Sequence, residues 1–201
     1  MPNLLYRYLQ KINLPNPELI DACEIAHDLR SKGIMNLYQA IDYIHQLPYC
    51  GISDNTNYHL VLKEQRGTCT PKHALIAELA SSLHIPLHLK AAIILMNSKN
   101  MPKIAPILKK YQLDNMIEAH TYLEYAGRQL DITFPEKTNF KMNFPVLKKR
   151  NFTLHDLGDI KMAWHKEAMK EFLLTQHLPY DLDQIWKIRE QCIQALSTTT
   201  I

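Results

Sequence analysis

Apolar and polar positions alternate in three regimes along the chain. Up to Pro48 the apolar residues recur at helical spacing. Leu19, Ile20, Cys23, Ala26 and Leu29 predict a helix that follows Pro17 and ends at Ser31-Lys32-Gly33. Leu37, Ala40, Ile41 and Ile44 predict a second, from about Asn36 to Leu47, stopped by Pro48. Residues 1–14 read as a short helix or arm. Over 48–66 the pattern dissolves into Gly, Asn, Asp and Ser, which predicts a loop. Then Ala74, Leu75, Ile76, Leu79, Ala80 and Leu83 make a segment apolar on more than one face, the mark of a central buried helix. Pro71 suits its first turn and His84-Ile85-Pro86 ends it. Leu87 to Met96 is a β-branched apolar run, hence a buried strand.

The rest is more broken. Residues 97–117 predict an excursion with a short helix near Ile104 to Tyr111. A hairpin follows, His120 to Tyr125 and Arg128 to Phe134, turning at Ala126-Gly127. Residues 135–158 read as loop. Residues 159–196 return to helix in two segments, with Trp164 and Trp186 expected in the core, and the tail 197–201 is expected to fray. No internal repeat is present.

Bulk properties remove several function classes. A chain of 201 residues suits one domain with a real core. A formal charge of +3 is slight for this length and argues against nucleic-acid binding; Lys109-Lys110 and Lys148-Lys149-Arg150 read as solvated surface. The four cysteines, Cys23, Cys50, Cys69 and Cys192, form no CxxC pair, which argues against a zinc ribbon or a thioredoxin-like motif. Reduced thiols in a cytoplasmic protein are expected. No signal peptide and no membrane-spanning run is expected either.

Candidate chemistry centres on Gln65-Arg66-Gly67-Thr68-Cys69-Thr70-Pro71-Lys72-His73. This segment puts one thiol at the start of the buried helix. Unpaired N–H groups and the macrodipole there favour thiolate, the reactive form, and Arg66 and Lys72 are expected to act in the same direction. His120 and Asp131 flank the hairpin turn and are expected across from one another to within about a residue. Cys, His and Asp in that order supply a nucleophile, its base and the base's orienter. Glu118 and Asp114 are rival orienters. His73, four residues after Cys69, is read as a packed or supporting histidine. For the oxyanion, the Cys69 N–H is expected to share the work with Gln65, or with Asn57 or Tyr58.

Arg66-Gly67-Thr68-Cys69-Thr70-Pro71-Lys72-His73-Ala74-Leu75, Glu118-Ala119-His120-Thr121-Tyr122 and Leu130-Asp131-Ile132-Thr133 together resemble the transglutaminase-like superfamily, in particular its small microbial members. The match spans roughly 60–135. The resemblance implies an α+β, papain-like fold: a cysteine-bearing central helix packed on an antiparallel sheet. The domain then covers 1–201, with a core at about 48–135, N-terminal helices in 1–47 and C-terminal helices in 159–196. It also implies acyl transfer through a thioester on an amide or peptide substrate, with Cys69, His120 and Asp131 catalytic. The sequence itself gives no sign of a cofactor or metal, and no dense acidic cluster like the metal loops of the family's calcium-regulated members is present. Thr68 and Thr70 flank the cysteine where larger relatives carry an aromatic residue, and Pro71 stands where many have an acidic one. These departures leave hydrolysis, deamidation and transamidation open. The alternative is a catalytically inactive binding module on the same fold. A metal-dependent phosphohydrolase reading of His27-Asp28 and His155-Asp156 is weaker: such sites need several ligands converging from helices, yet no His precedes His27, and His155-Asp156 sits near a predicted loop.

Overall fold

The computed structural model describes residues 3–20, 23–135 and 140–197; the end of the tail expected to fray lies outside them. The chain is α+β. Among the described residues it has eight α-helices and a four-stranded antiparallel sheet. Helices α1 (Leu4–Lys11), α2 (Glu24–Ser31), α3 (Leu37–Gln46), α4 (Leu60–Glu64) and α5 (Cys69–Ser82) come first. Strand β1 (His88–Asn97), helix α6 (Ala105–Lys110) and strands β2 (Asn115–Tyr125), β3 (Arg128–Leu130) and β4 (Val146–Asn151) follow, and α7 (Asp159–Thr175) and α8 (Leu182–Ser197) close the chain. The strand order is β3-β2-β1-β4.

Two compact units share the chain. The first takes residues 1–90, 121–142 and 151–154; the second takes 91–120, 143–150 and 155–201. The boundaries fall inside β1 and β2, so neither unit is a continuous stretch. In the first, α5 packs against α2, α3 and α4, and α1 against α3. Leu9, Ile25, Leu29, Leu37, Ile41, Ile44, Leu75, Ile76 and Leu79 form its dry core. In the second, α8 packs on α7, α6 and the 3-10 turn Pro102–Ile104, through Ile185, Ile188 and Cys192.

Local chemistry explains the element ends. Asn36 caps α3 by accepting from the Gln39 N–H at 3.0 Å. The hairpin turn carries Ala126 at φ +47° and Gly127 at +74°, the left-handed pair that matches strand twist. Four expectations are corrected. The helix expected directly after Pro17 begins only at Glu24: Leu19 N–H bonds Met35 O and Leu37 N–H bonds Pro17 O, so this segment runs extended beside the start of α3. The loop expected over 48–66 contains α4, and the loop expected over 135–158 contains β4. The returning hairpin strand stops at Leu130 instead of reaching Phe134.

Candidate functional site

Cys69 is the first residue of α5 and is 6% exposed. Thr68 takes the N-cap position in an extended conformation, without a side-chain cap bond. The end of the helix is therefore left to its backbone N–H groups, which point at this position and favour negative charge. A short hydroxyl chain reaches the sulfur. Thr121 Oγ1 on β2 lies 3.0 Å from Thr70 Oγ1, and Thr70 Oγ1 lies 3.8 Å from Cys69 Sγ. Gly67 sets the approach. A Cβ there would meet Lys72 Cγ at 3.0 Å and Val61 Cγ2 at 3.2 Å, so close packing explains this glycine; a left-handed φ does not.

One turn deeper, His73 is fully buried and uses both ring nitrogens. Ile132 N–H donates to Nε2 at 2.9 Å. Nε2 is then the acceptor, so the hydrogen sits on Nδ1, which donates to Cys69 O at 2.7 Å. The ring is neutral. Asp131 Oδ1 stands 3.7 Å from Nε2, beyond hydrogen-bond reach of a nitrogen that carries no hydrogen, so the approach is no ion pair. That oxygen serves its own chain, accepting from Thr133 N–H at 3.1 Å and Thr133 Oγ1 at 2.6 Å. His73 is thus the supporting histidine its spacing predicts. It ties the carbonyl of Cys69 to the segment that carries Asp131.

Lys72 is held by the backbone. Its side chain is fully buried, and Nζ donates to His45 O, Leu47 O and Thr133 O. The ammonium gathers three backbone segments. Arg66 is likewise engaged, donating from Nε and one terminal nitrogen to Glu64 at 3.0 and 2.7 Å. Beside Lys72, His45 is buried with its ring edge-on to Phe140, and its Nδ1 has no partner. Burial pushes its pKa down, and the Lys72 charge adds to this.

His120 lies on β2, is 4% exposed and has its ring 5.9 Å from that of Phe144. It counts with the second unit, while Cys69, Thr121 and Asp131 count with the first. The ladder pairs Leu123 with Leu130. It ends there, short of Asp131. Asp131 itself lies just past the end of β3, with its N–H on Phe140 O at 2.8 Å. Of the rival orienters, Glu118 is held by Arg189 at 2.6 and 2.7 Å, and Asp114 is exposed.

The oxyanion candidates are placed as follows. Gln65 ends α4 in a left-handed conformation, φ +52°, and is exposed. Asn57 Oδ1 accepts from His59 N–H at 3.2 Å, and the residue lines a cleft of about 430 Å³ with Glu24, Asp28, Lys32 and Lys63; Cys69 is not in its walls. Tyr58 donates its hydroxyl to Glu78 at 2.5 Å, and burial together with that carboxylate raises its pKa. His27 and Asp28 lie on α2, and His155 and Asp156 on a 3-10 turn. No group of three metal-ligating side chains occurs among the described residues. No helix among them is long and apolar enough to cross a membrane.

Comparison with the models of known protein families, with curated proteins and with solved structures finds no match.

Proposed function

We propose that the chain is a cysteine-dependent acyl-transfer enzyme of the transglutaminase-like kind, on a papain-like version of its α+β fold, acting on amide or peptide bonds in a reducing, cytoplasmic setting. The observation that carries this reading is Cys69 at the first position of a long buried helix, with a hydroxyl pair beside its sulfur. A thiolate there draws on the helix dipole and the Thr70 hydroxyl. It attacks the carbonyl carbon of an amide. His120, the proposed base, delivers a proton to the leaving amine, so a thioester forms and the C–N bond breaks. His120 then takes a proton from water or an incoming amine, which attacks the thioester and releases the thiolate. Asp131 is proposed to orient His120, and the Cys69 N–H to hold the oxyanion with a second donor from Gln65 or Asn57.

A second reading has an observation of its own. Cys69 is buried, at 6% exposure, which suits an inactive binding module. Alkylation by iodoacetamide as a function of pH separates the two, with Cys23, Cys50 and Cys192 as internal references. The enzyme reading expects Cys69 to label fast well below the ordinary thiol pKa of about 8.5. It also expects His120→Ala to move that profile back up. Labelling of Cys69 no faster than the other three, or a profile unchanged by His120→Ala, overturns the thiolate–imidazole pairing.

A further inference from the structure

Strand β4, Val146-Leu147-Lys148-Lys149-Arg150-Asn151, is the end strand of the sheet and is exposed at every position. Its inner side is committed next to β1, where Leu95 N–H bonds Pro145 O at 2.9 Å. The outer side of an end strand presents a row of backbone donors and acceptors that a further strand can pair. Along that row the side chains change character. Val146 and Leu147 are exposed apolar residues, 36% and 54%, and three cations in succession follow. Lys148 is shared with Glu171 at 2.7 Å. Among the described residues, Lys149 makes no ion pair.

We propose that β4 is a docking edge for an extended acidic segment of another protein, added antiparallel as a fifth strand. Charge selects this occupant. A second copy pairing antiparallel about the middle of β4 would set Lys148 opposite Lys149 of the other copy, and like charges directly opposite are unfavourable. Single-stranded nucleic acid would use aromatic platforms for its bases, and β4 carries none. An acidic strand satisfies the ladder and gives Lys149 a partner, a recognised mode of peptide capture. Antiparallel pairing also fixes the polarity: acidic residues come first in the guest and face 150 to 148, and a pair of apolar residues follows and faces 147 and 146. Lysines on an end strand can also serve only to repel other edges. That simpler role requires neither the apolar pair nor a bound guest.

The test is fluorescence anisotropy of the full chain with a labelled Ser-Glu-Glu-Glu-Val-Val-Ser peptide. The expected result is saturable binding that Lys149→Glu weakens roughly tenfold, the size of one opposed charge pair made repulsive. The same peptide N-methylated at every central amide keeps its charge but cannot form the ladder, and is expected to bind at least tenfold more weakly. No saturable binding overturns the proposal in favour of simple edge protection. Equal binding of the methylated peptide reduces the edge to a charge patch and overturns it as well. An oligouridylate that binds more tightly than the peptide, and loses affinity in Lys149→Glu, assigns the edge to nucleic acid instead.

Discussion

In the first unit the buried Lys72 ammonium meets three backbone carbonyls, whereas in the second the buried Glu118 carboxylate meets the Arg189 guanidinium in two parallel hydrogen bonds. Each cluster also holds a buried histidine with one ring nitrogen that lacks a partner, His45 Nδ1 and His165 Nε2. The difference lies in what can be exchanged. An ion pair consists of two side chains, and both can be replaced together by apolar ones at little net cost. The carbonyls around Lys72 belong to the main chain and remain whatever residue stands at 72. A buried charge bound to backbone is therefore a fixture of the fold, and a buried ion pair is a replaceable part.

The strongest way to break this comparison is Lys72→Met, which keeps volume and removes the donor. Three buried carbonyls would lose a partner, and a loss of roughly 5 kcal/mol is expected, enough to unfold a domain of ordinary stability. Urea titration followed by circular dichroism measures it. In the second unit, Glu118→Leu leaves the arginine without its carboxylate and should cost about 4 kcal/mol; Glu118→Leu with Arg189→Leu should recover most of that loss. A double variant as unstable as the sum of the singles would show that the pair is as irreplaceable as Lys72.

Acid sharpens the contrast further. Burial pulls His165 down to about 4, only partly offset by the Glu118 charge. Between 6.5 and 4 the unfolded chain therefore binds a proton that the folded one refuses, so stability falls as pH drops through this window. About 3 kcal/mol is at stake. The Glu118 carboxyl, which burial would raise, is brought down to about 2 by Arg189 and His165, so its own contribution is lost only at lower pH. Urea midpoints at pH 7 and 4.5 should differ in the parent, and the difference should shrink in His165→Leu, with His45, also pushed down by burial, supplying part of what remains. The smallest effect expected is that of Gly67→Ala. Its new methyl would press on Lys72 Cγ and Val61, at a cost of about 2 kcal/mol in the same titration.

What the sequence disclosed follows the strength of its periodic signal. Leu37, Ala40, Ile41 and Ile44 recur on one face and are all buried, and the uniformly apolar helix after Cys69 is the hub of the first unit. His73 was legible from its distance to Cys69 alone, since a residue four places on lies one turn below. β4 was not legible, because a strand exposed at every position carries no alternation of burial. The start of α2 misled because Leu19 and Ile20 fit a helical spacing while backbone bonds to Met35 and from Leu37 hold that stretch extended. The burial of Lys72 was not legible, for a different reason. Nothing local marks a lysine as buried when the carbonyls that receive it come from residues 45, 47 and 133. That the ladder ends at Leu130, short of Asp131, was hidden likewise.

The interleaving of the two units bears on how the chain can be born. As it leaves the ribosome, its first ninety residues hold five helices but lack the segments 121–142 and 151–154 that complete their unit. Thr133 O, one of the three acceptors for Lys72, is among the parts still to come. Neither unit can be finished before residues 151–154 have been made. Folding must wait on contacts between distant parts of the chain, which makes it slow relative to a helical bundle of the same length. Until then Lys72 lacks one of its three acceptors and His73 lacks the Ile132 N–H, and that interval is when a nascent chain of this design is most exposed to aggregation.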